Sequence, residues 1–138
     1  MTYDPNNIFA KILRGEIPCH RIHEDEHTLA FMDVMPQVDG HCLVIPKAGS
    51  RNLLDAKPST FAPLMATVQN VARAAKTVFN ADGVQIRQYN EPAAGQTVFH
   101  LHFHILPMND GQPLRSHSGK MADQAVLAQH AEMIKKAL

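Results

Sequence analysis

The chain has 138 residues, the size of one domain, and an ordinary apolar share of 45%. Thirteen basic and thirteen acidic side chains cancel, which excludes broad electrostatic attraction to nucleic acid or to a membrane surface. The two cysteines, Cys19 and Cys42, lack a CxxC spacing, the polar start MTYDPNNIF shows no secretory signal, and no apolar run approaches a membrane span; a cytoplasmic address is expected.

In chain order, Asn6 or Asn7 caps a short helix carrying Ile8, Phe9, Ile12 and Leu13 on one face, and Gly15 stops it. Arg21 to Glu24 and Thr28 to Asp33 read as two short strands around the polar turn Asp25-Glu26-His27. His41 to Pro46 reads as a third strand. Ser59 is placed to cap the longest helix, whose stripe runs Phe61, Leu64, Met65, Val68, Val71, Ala72, Ala75, Val78 and Phe79. This stripe reads as core-facing. Val84 to Tyr89 alternates as a fourth strand, and 90–96 is a loop with Pro92 and Gly95. After a polar stretch, 109–120, Asp123 caps a final helix with Val126, Leu127, His130, Met133 and Ile134 inward. The expected fold is a single α+β domain over 1–138. Its five-stranded, mainly antiparallel sheet has the helices grouped on one side, and 109–138 forms a C-terminal extension.

The fifth strand, Val98 to Leu106, organises the rest. Its even positions line up His100, His102 and His104 on one face, about 6.6 Å apart from one to the next. Its odd positions, Phe99, Leu101, Phe103 and Ile105, form an apolar face that must be buried. Pro107 is expected to end the run. Three imidazoles side by side need three sets of hydrogen-bond partners, so a purely structural role is disfavoured. Two chemistries fit: alternate histidines aimed at one zinc ion, or one imidazole acting as nucleophile or base while its neighbours orient it. Spacing alone does not separate them. The preceding loop, with Asn90, Gly95, Gln96 and Thr97, offers neutral donors and a close backbone approach, which suits a phosphate.

The run HLHFHIL resembles the signature of the histidine triad superfamily, and the preceding AGQTVF resembles its nucleoside-phosphoramidase branch. Agreement extends through NIFAKILRGEIP, AFMDVMPQVDGHCLVIPK and the MAD-led terminal helix. The resemblance implies a homodimer that binds purine nucleoside monophosphates of the AMP or GMP type. It implies hydrolysis of purine nucleoside 5′-phosphoramidates through a covalent nucleotidyl-histidine, without a cofactor. By the same resemblance His102 is the nucleophile, and His104 contacts the phosphate and protonates the leaving group. His100 positions its neighbour through its carbonyl, and His41 joins the cluster. Asn90, Gln96 and Thr97 hold phosphate oxygens, and Asp33 accepts both ribose hydroxyls. Ile8, Phe9, Ile12, Ile17, Phe31 and Val34 sandwich the base.

Relatives that carry a structural zinc hold it with a CxxC pair, a histidine after the VIPK strand and the first triad histidine. Asn7, Ala10 and Gly49 stand at three of those positions here, so no metal is expected. Dinucleoside polyphosphate hydrolysis, nucleotide-dependent scaffolding and a strand-based metalloenzyme are the competing readings.

Overall fold

The computed structural model describes residues 2–117 and 120–138. Its five strands are β1 (Arg21–Glu24), β2 (Thr28–Met32), β3 (Cys42–Pro46), β4 (Gly83–Arg87) and β5 (Phe103–Met108). They form one sheet in the order β1-β2-β3-β5-β4, and every neighbouring pair is antiparallel. Three helices complete it: α1 (Ile8–Leu13), α2 (Phe61–Val78) and α3 (Gln124–Lys136). No helix among the described residues is long and apolar enough to cross a membrane.

Alternation along the strands divides the sheet into two faces. Ala30, Met32, Cys42, Val44, Phe103 and Ile105 face α2 and α3, meeting Leu64, Val68 and Val71 of α2 with Leu127, Ala131 and Ile134 of α3. Leu29, Phe31, Leu43 and Ile45 point the other way, onto Phe9 of α1. The helices are therefore not grouped on one side as expected. A six-residue helix buries little, and α1 serves chiefly to place Phe9, whose burial is worth about 1.5–3 kcal/mol. Asn7, one of the two expected caps, accepts from the Ala10 amide at 2.9 Å.

Several other elements differ from expectation. Ser59 does not cap α2; a 3-10 turn, Pro58–Thr60, leads into the helix, and its N-cap Thr60 makes no side-chain cap bond. Ile8, Met65, Val126 and Met133 are exposed, because each stripe is narrower than its apolar positions allow. Most important, the histidine strand begins only at Phe103. In the β3–β5 register Val44 meets Phe103, which would bring Pro46 opposite Leu101. Pro46 has no N–H, so the ladder cannot run back through 98–102. Pro107 does not end the strand either. Beyond Ile105, β5 is paired only to β4, where Val84 faces Pro107, and an edge stretch tolerates a missing donor.

The loop 33–41 delivers His41 to the site, and Gly40 anchors it. Gly40 has φ +88°, and a β-carbon there would lie 2.6 Å from the Phe79 ring and 2.9 Å from Pro107 Cγ. Gly15 also has positive φ, at +77°, but faces open space. Gly40→Ala should therefore lower Tm by roughly 6–15 °C, combining left-handed strain with overpacking. Gly15→Ala should cost only about 1–2 kcal/mol, the strain alone. Equal losses on melting the two variants would show that the packing of Gly40 is unimportant.

Candidate functional site: a buried histidine cluster

His104 stands opposite Leu43 and Arg87 in the sheet, on the face that carries α1. Alternation puts Asp33, His41 and His102 on the same face, and all four are at least nine-tenths buried. The imidazoles of His102 and His104 lie 5.0 Å apart, edge to face. His102 also meets the Phe9 ring at 4.9 Å, so it stands between α1 and His104.

Hydrogen-bond partners fix where the protons sit. His102 Nδ1 is 2.6 Å from the His100 carbonyl oxygen. A carbonyl only accepts, so Nδ1 carries the proton and Nε2 keeps its lone pair. His100 is set the same way: its Nε2–H donates to the Pro46 carbonyl at 2.8 Å, and its Nδ1 accepts from the Tyr3 hydroxyl at 2.7 Å. The Gln37 amide donates to His41 Nδ1 at 3.0 Å. That leaves the proton of neutral His41 on Nε2, which faces His104 Nδ1 at 3.0 Å. His104 is thus an acceptor at Nδ1 and a donor at Nε2. His102 and His104 are opposite tautomers: one offers a lone pair, the other a proton.

Burial is the main reason these rings stay neutral. It lowers His41 to about 4, partly offset by Asp33, and His100 to about 4, partly offset by its bond to Pro46. It lowers His104 to about 3, helped by His102 and His41. His102 is lowered by burial too, against the bond to the His100 carbonyl.

Asp33 is in contact with this cluster. Its Oδ1 accepts the Met35 amide at 2.8 Å, and its Oδ2 lies 2.7 Å from His117 Nε2 and 3.4 Å from His41 Nε2. Burial alone would raise the carboxyl, but the hydrogen bond from His117 and the field of His41 hold it below its usual value. The bond to Asp33 raises His117, although its own burial opposes this. His117 belongs to the polar stretch read as poorly patterned, two of whose positions, 118 and 119, lie outside the described residues. The Arg115 amide holds that stretch to the Gln37 carbonyl at 2.8 Å. Nothing in the local pattern marks His117; it is legible only as one of nine histidines.

The phosphate-loop candidates divide. Gly95, with φ +100°, and Thr97 border a cavity of about 280 Å³ whose floor is His102 and His104. Asn90 and Gln96 do not border it. Gln96 Nε2 donates to the Arg51 and Val98 carbonyls, and its Oε1 accepts from Asn52 and from the Glu91 amide, so the side chain braces the loop from inside. Asn90 Oδ1 accepts the Leu53 amide, and its Nδ2 bonds Gln88. Arg51 and Asn52, which the sequence reading missed, hold Glu91 at φ +77° through its carboxylate. Of the base-cleft candidates, Phe9 and Phe31 stack edge to face at 5.5 Å, with Ile12 packed beside them. Ile8 is exposed and Ile17 half-buried. Val34 packs instead against the α2 and α3 core, so it does not share that cleft.

Neither of two conceivable metal sites fits these contacts. The structural zinc does not fit. Both nitrogens of His100 are engaged, Asn7 caps α1, and Gly49 lies under the Tyr3 ring, where a β-carbon would come within 2.8 Å. Asp33, His41, His104 and His117 offer donor atoms all within 4.8 Å of one another, close enough for a cation. A ligating histidine donates its second N–H to an acceptor. His41 instead receives the Gln37 N–H, so its Nε2 holds a proton where a metal would need a lone pair. The arrangement suits proton exchange.

These shifts predict the acid limb of stability. His41, His100 and His104 have folded values of about 4, 4 and 3, below their ordinary 6.5. As pH falls below 6.5 the unfolded chain takes up protons first, so stability drops progressively toward pH 4. His117 has the opposite sign: its bond to Asp33 contributes fully below 6.5 and is lost as pH rises through its raised value. Tm should fall steeply between pH 6.5 and 4, and His100→Gln should flatten that slope. A Tm independent of pH over this range would contradict neutral burial.

Comparison with known proteins agrees with this geometry. The HIT domain family model matches residues 14–111. The crystal structure of a Hit-like protein involved in cell-cycle regulation from Bartonella henselae is 50% identical, covers 99% of this chain and 100% of its own, and has a TM-score of 0.93. That of a hypothetical histidine triad nucleotide-binding protein from Sulfolobus tokodaii is 30% identical, covers 94% and 90%, and has a TM-score of 0.86. Adenylylsulfatase HINT3 of Arabidopsis thaliana is 35% identical over 86% of this chain and 63% of its own. The matched span, the shared fold and the imidazole arrangement lead to one conclusion: this chain belongs to the HIT domain family.

Proposed function

We propose that this protein is a nucleotide-binding hydrolase that cleaves purine nucleoside 5′-phosphoramidates to the monophosphate, through a covalent nucleotidyl-histidine at His102. One observation carries the reading: the 2.6 Å bond from His102 Nδ1 to the His100 carbonyl, which leaves the lone pair on Nε2. Burial keeps that nitrogen unprotonated near neutral pH. A neutral, oriented imidazole beside a cavity is what nucleophilic attack on phosphorus needs.

In the first step His102 Nε2 forms a bond to the α-phosphorus. The bond from phosphorus to the amine breaks, and its electron pair stays on the leaving nitrogen. His104 Nε2–H supplies the proton that makes this nitrogen a neutral amine, and its Nδ1 is resupplied along the bond from His41. Water then attacks the adduct, its proton returns to the histidine pair, and His102 recovers its lone pair. The base lies against Phe9, Phe31 and Ile12, flanked by Ile8 and Ile17. Asp33 offers its remaining lone pairs to the ribose hydroxyls, and Asn90 and Gln96 act through the loop they brace.

Rapid quenching followed by mass spectrometry tests this. The wild-type protein should carry one nucleoside monophosphate on His102 during turnover. His102→Asn should lose the adduct and at least about 10⁴-fold in kcat while still binding nucleotide. His104→Gln should turn over slowly and accumulate the adduct. An adduct on another residue, or one that survives in the His102 variant, would overturn the assignment.

A further inference from the structure

The cavity over His102 and His104 has a far wall that the chemistry above does not use. That wall is Gln37, Arg87, Tyr89 and His117. It lies on the His104 side, away from Phe9 and the base cleft, so it faces whatever group departs from the phosphorus. Arg87 comes from β4 directly opposite His104. Its bonds all go to neutral amide oxygens: Nη1 to Gln37 at 2.9 Å, and Nε and Nη2 to Gln85 at 3.1 and 2.7 Å. Among the described residues it has no ion-pair partner. A guanidinium has five N–H groups, so two bond none of the described residues.

His117 stands on the same wall with its Nε2 against Asp33 behind it, so a proton it takes up is matched by that carboxylate. Among the described residues Arg87 is therefore the unmatched charge of the cavity, and none of the described lining residues is acidic. The Arg87 field reaches the cluster: it opposes protonation of both His41 and His117. The Tyr89 ring stands 5.8 Å from His104, bringing an aromatic edge and a hydroxyl to the same wall.

We propose that Arg87 is a specificity-determining residue that lets the site accept, beside the amine of a phosphoramidate, a leaving group ending in a tetrahedral oxyanion, a sulfate or a nucleotide phosphate. This rests on the nucleotidyl-histidine reading and widens its substrate class. His102 Nε2 bonds to the α-phosphorus, and the bridging P–O bond breaks with its electron pair passing to the departing oxygen. Sulfate or phosphate leaves as the anion without a proton from His104. Arg87 neutralises the charge that develops on it, by hydrogen bonds that strengthen as the bond breaks. Water then attacks the adduct and its proton passes to solvent.

The test compares kcat/KM of wild type, Arg87→Gln and Arg87→Lys on three substrates. These are adenosine 5′-phosphosulfate, diadenosine triphosphate and an unsubstituted adenosine 5′-phosphoramidate. Arg87→Gln should lose about 10- to 100-fold more on an oxyanion substrate than on the phosphoramidate, the worth of a charge-assisted hydrogen bond. Arg87→Lys, which keeps the charge but not the fork, should fall between. A selective loss on the phosphosulfate alone assigns the wall to sulfate, and on the diadenosine compound alone to nucleotide phosphate. Equal losses on all three substrates, or no loss, would overturn the proposal. Should Arg87→Gln melt early, Arg87→Lys decides, because an unchanged selectivity ratio in that folded variant also overturns it. If the wild type turns over none of the three, the hydrolase reading itself falls, a result distinct from the loss of selectivity.

Discussion

The site depends on a carbonyl that is not in the sheet. Pro46 has no N–H, so the β3–β5 ladder stops at Phe103 and the chain from 98 to 102 runs free of it. The His100 ring then takes the Pro46 carbonyl, and the His100 carbonyl takes His102 Nδ1. Had the ladder continued through His102, backbone groups would compete for these acceptors. A missing amide hydrogen on one strand thus sets the tautomer of a side chain on the next.

The second constraint is burial. Four imidazoles at or below a tenth exposed are tolerable because every ring nitrogen but His102 Nε2 and His104 Nε2, the two reserved for chemistry, has a hydrogen-bond partner. The Gln37 amide drives the proton of His41 to Nε2, and that proton points at His104 Nδ1. The result is a pair of opposite tautomers 5.0 Å apart between their ring centres. Charging any one of them costs desolvation in a poorly solvated space, and charging a second adds repulsion, which is why the same burial that supplies a nucleophile also makes the fold acid-sensitive. Asp33 moderates this field and is itself held by His117, from the far end of the chain.

Much of this was legible in the residues. Alternation around HLHFHIL correctly separates the imidazole positions from the buried Leu101, Phe103 and Ile105, but Phe99, expected on the same buried face, precedes the strand and lies half-buried under Arg51. Capping by Asp123, the β1 bounds and the long helix follow from local chemistry. The strand limits at Phe103 and Met108 were not legible, because they depend on which residue of β3 lies opposite, and register is a tertiary fact. The side of the sheet that α1 takes was hidden for the same reason, since a strand buried on both faces carries no inside and outside. His117 and Arg87 carry no periodic signal. One reaches the site by a loop held at Gln37, the other by its rung opposite His104. Gln96 and Asn90 were legible as loop residues, but the direction of the Gln96 amide depends on Arg51 and Asn52, and that of Asn90 on Leu53, some forty residues earlier.

The most direct test of the account is the tautomeric state of the two reactive histidines at pH 7. Long-range proton–nitrogen correlation spectra of the nitrogen-15-labelled protein report which ring nitrogen carries hydrogen. The account requires His102 to be neutral with its proton on Nδ1, and His104 to be neutral with its proton on Nε2. Finding His102 protonated on Nε2, or either ring present as imidazolium, would contradict it.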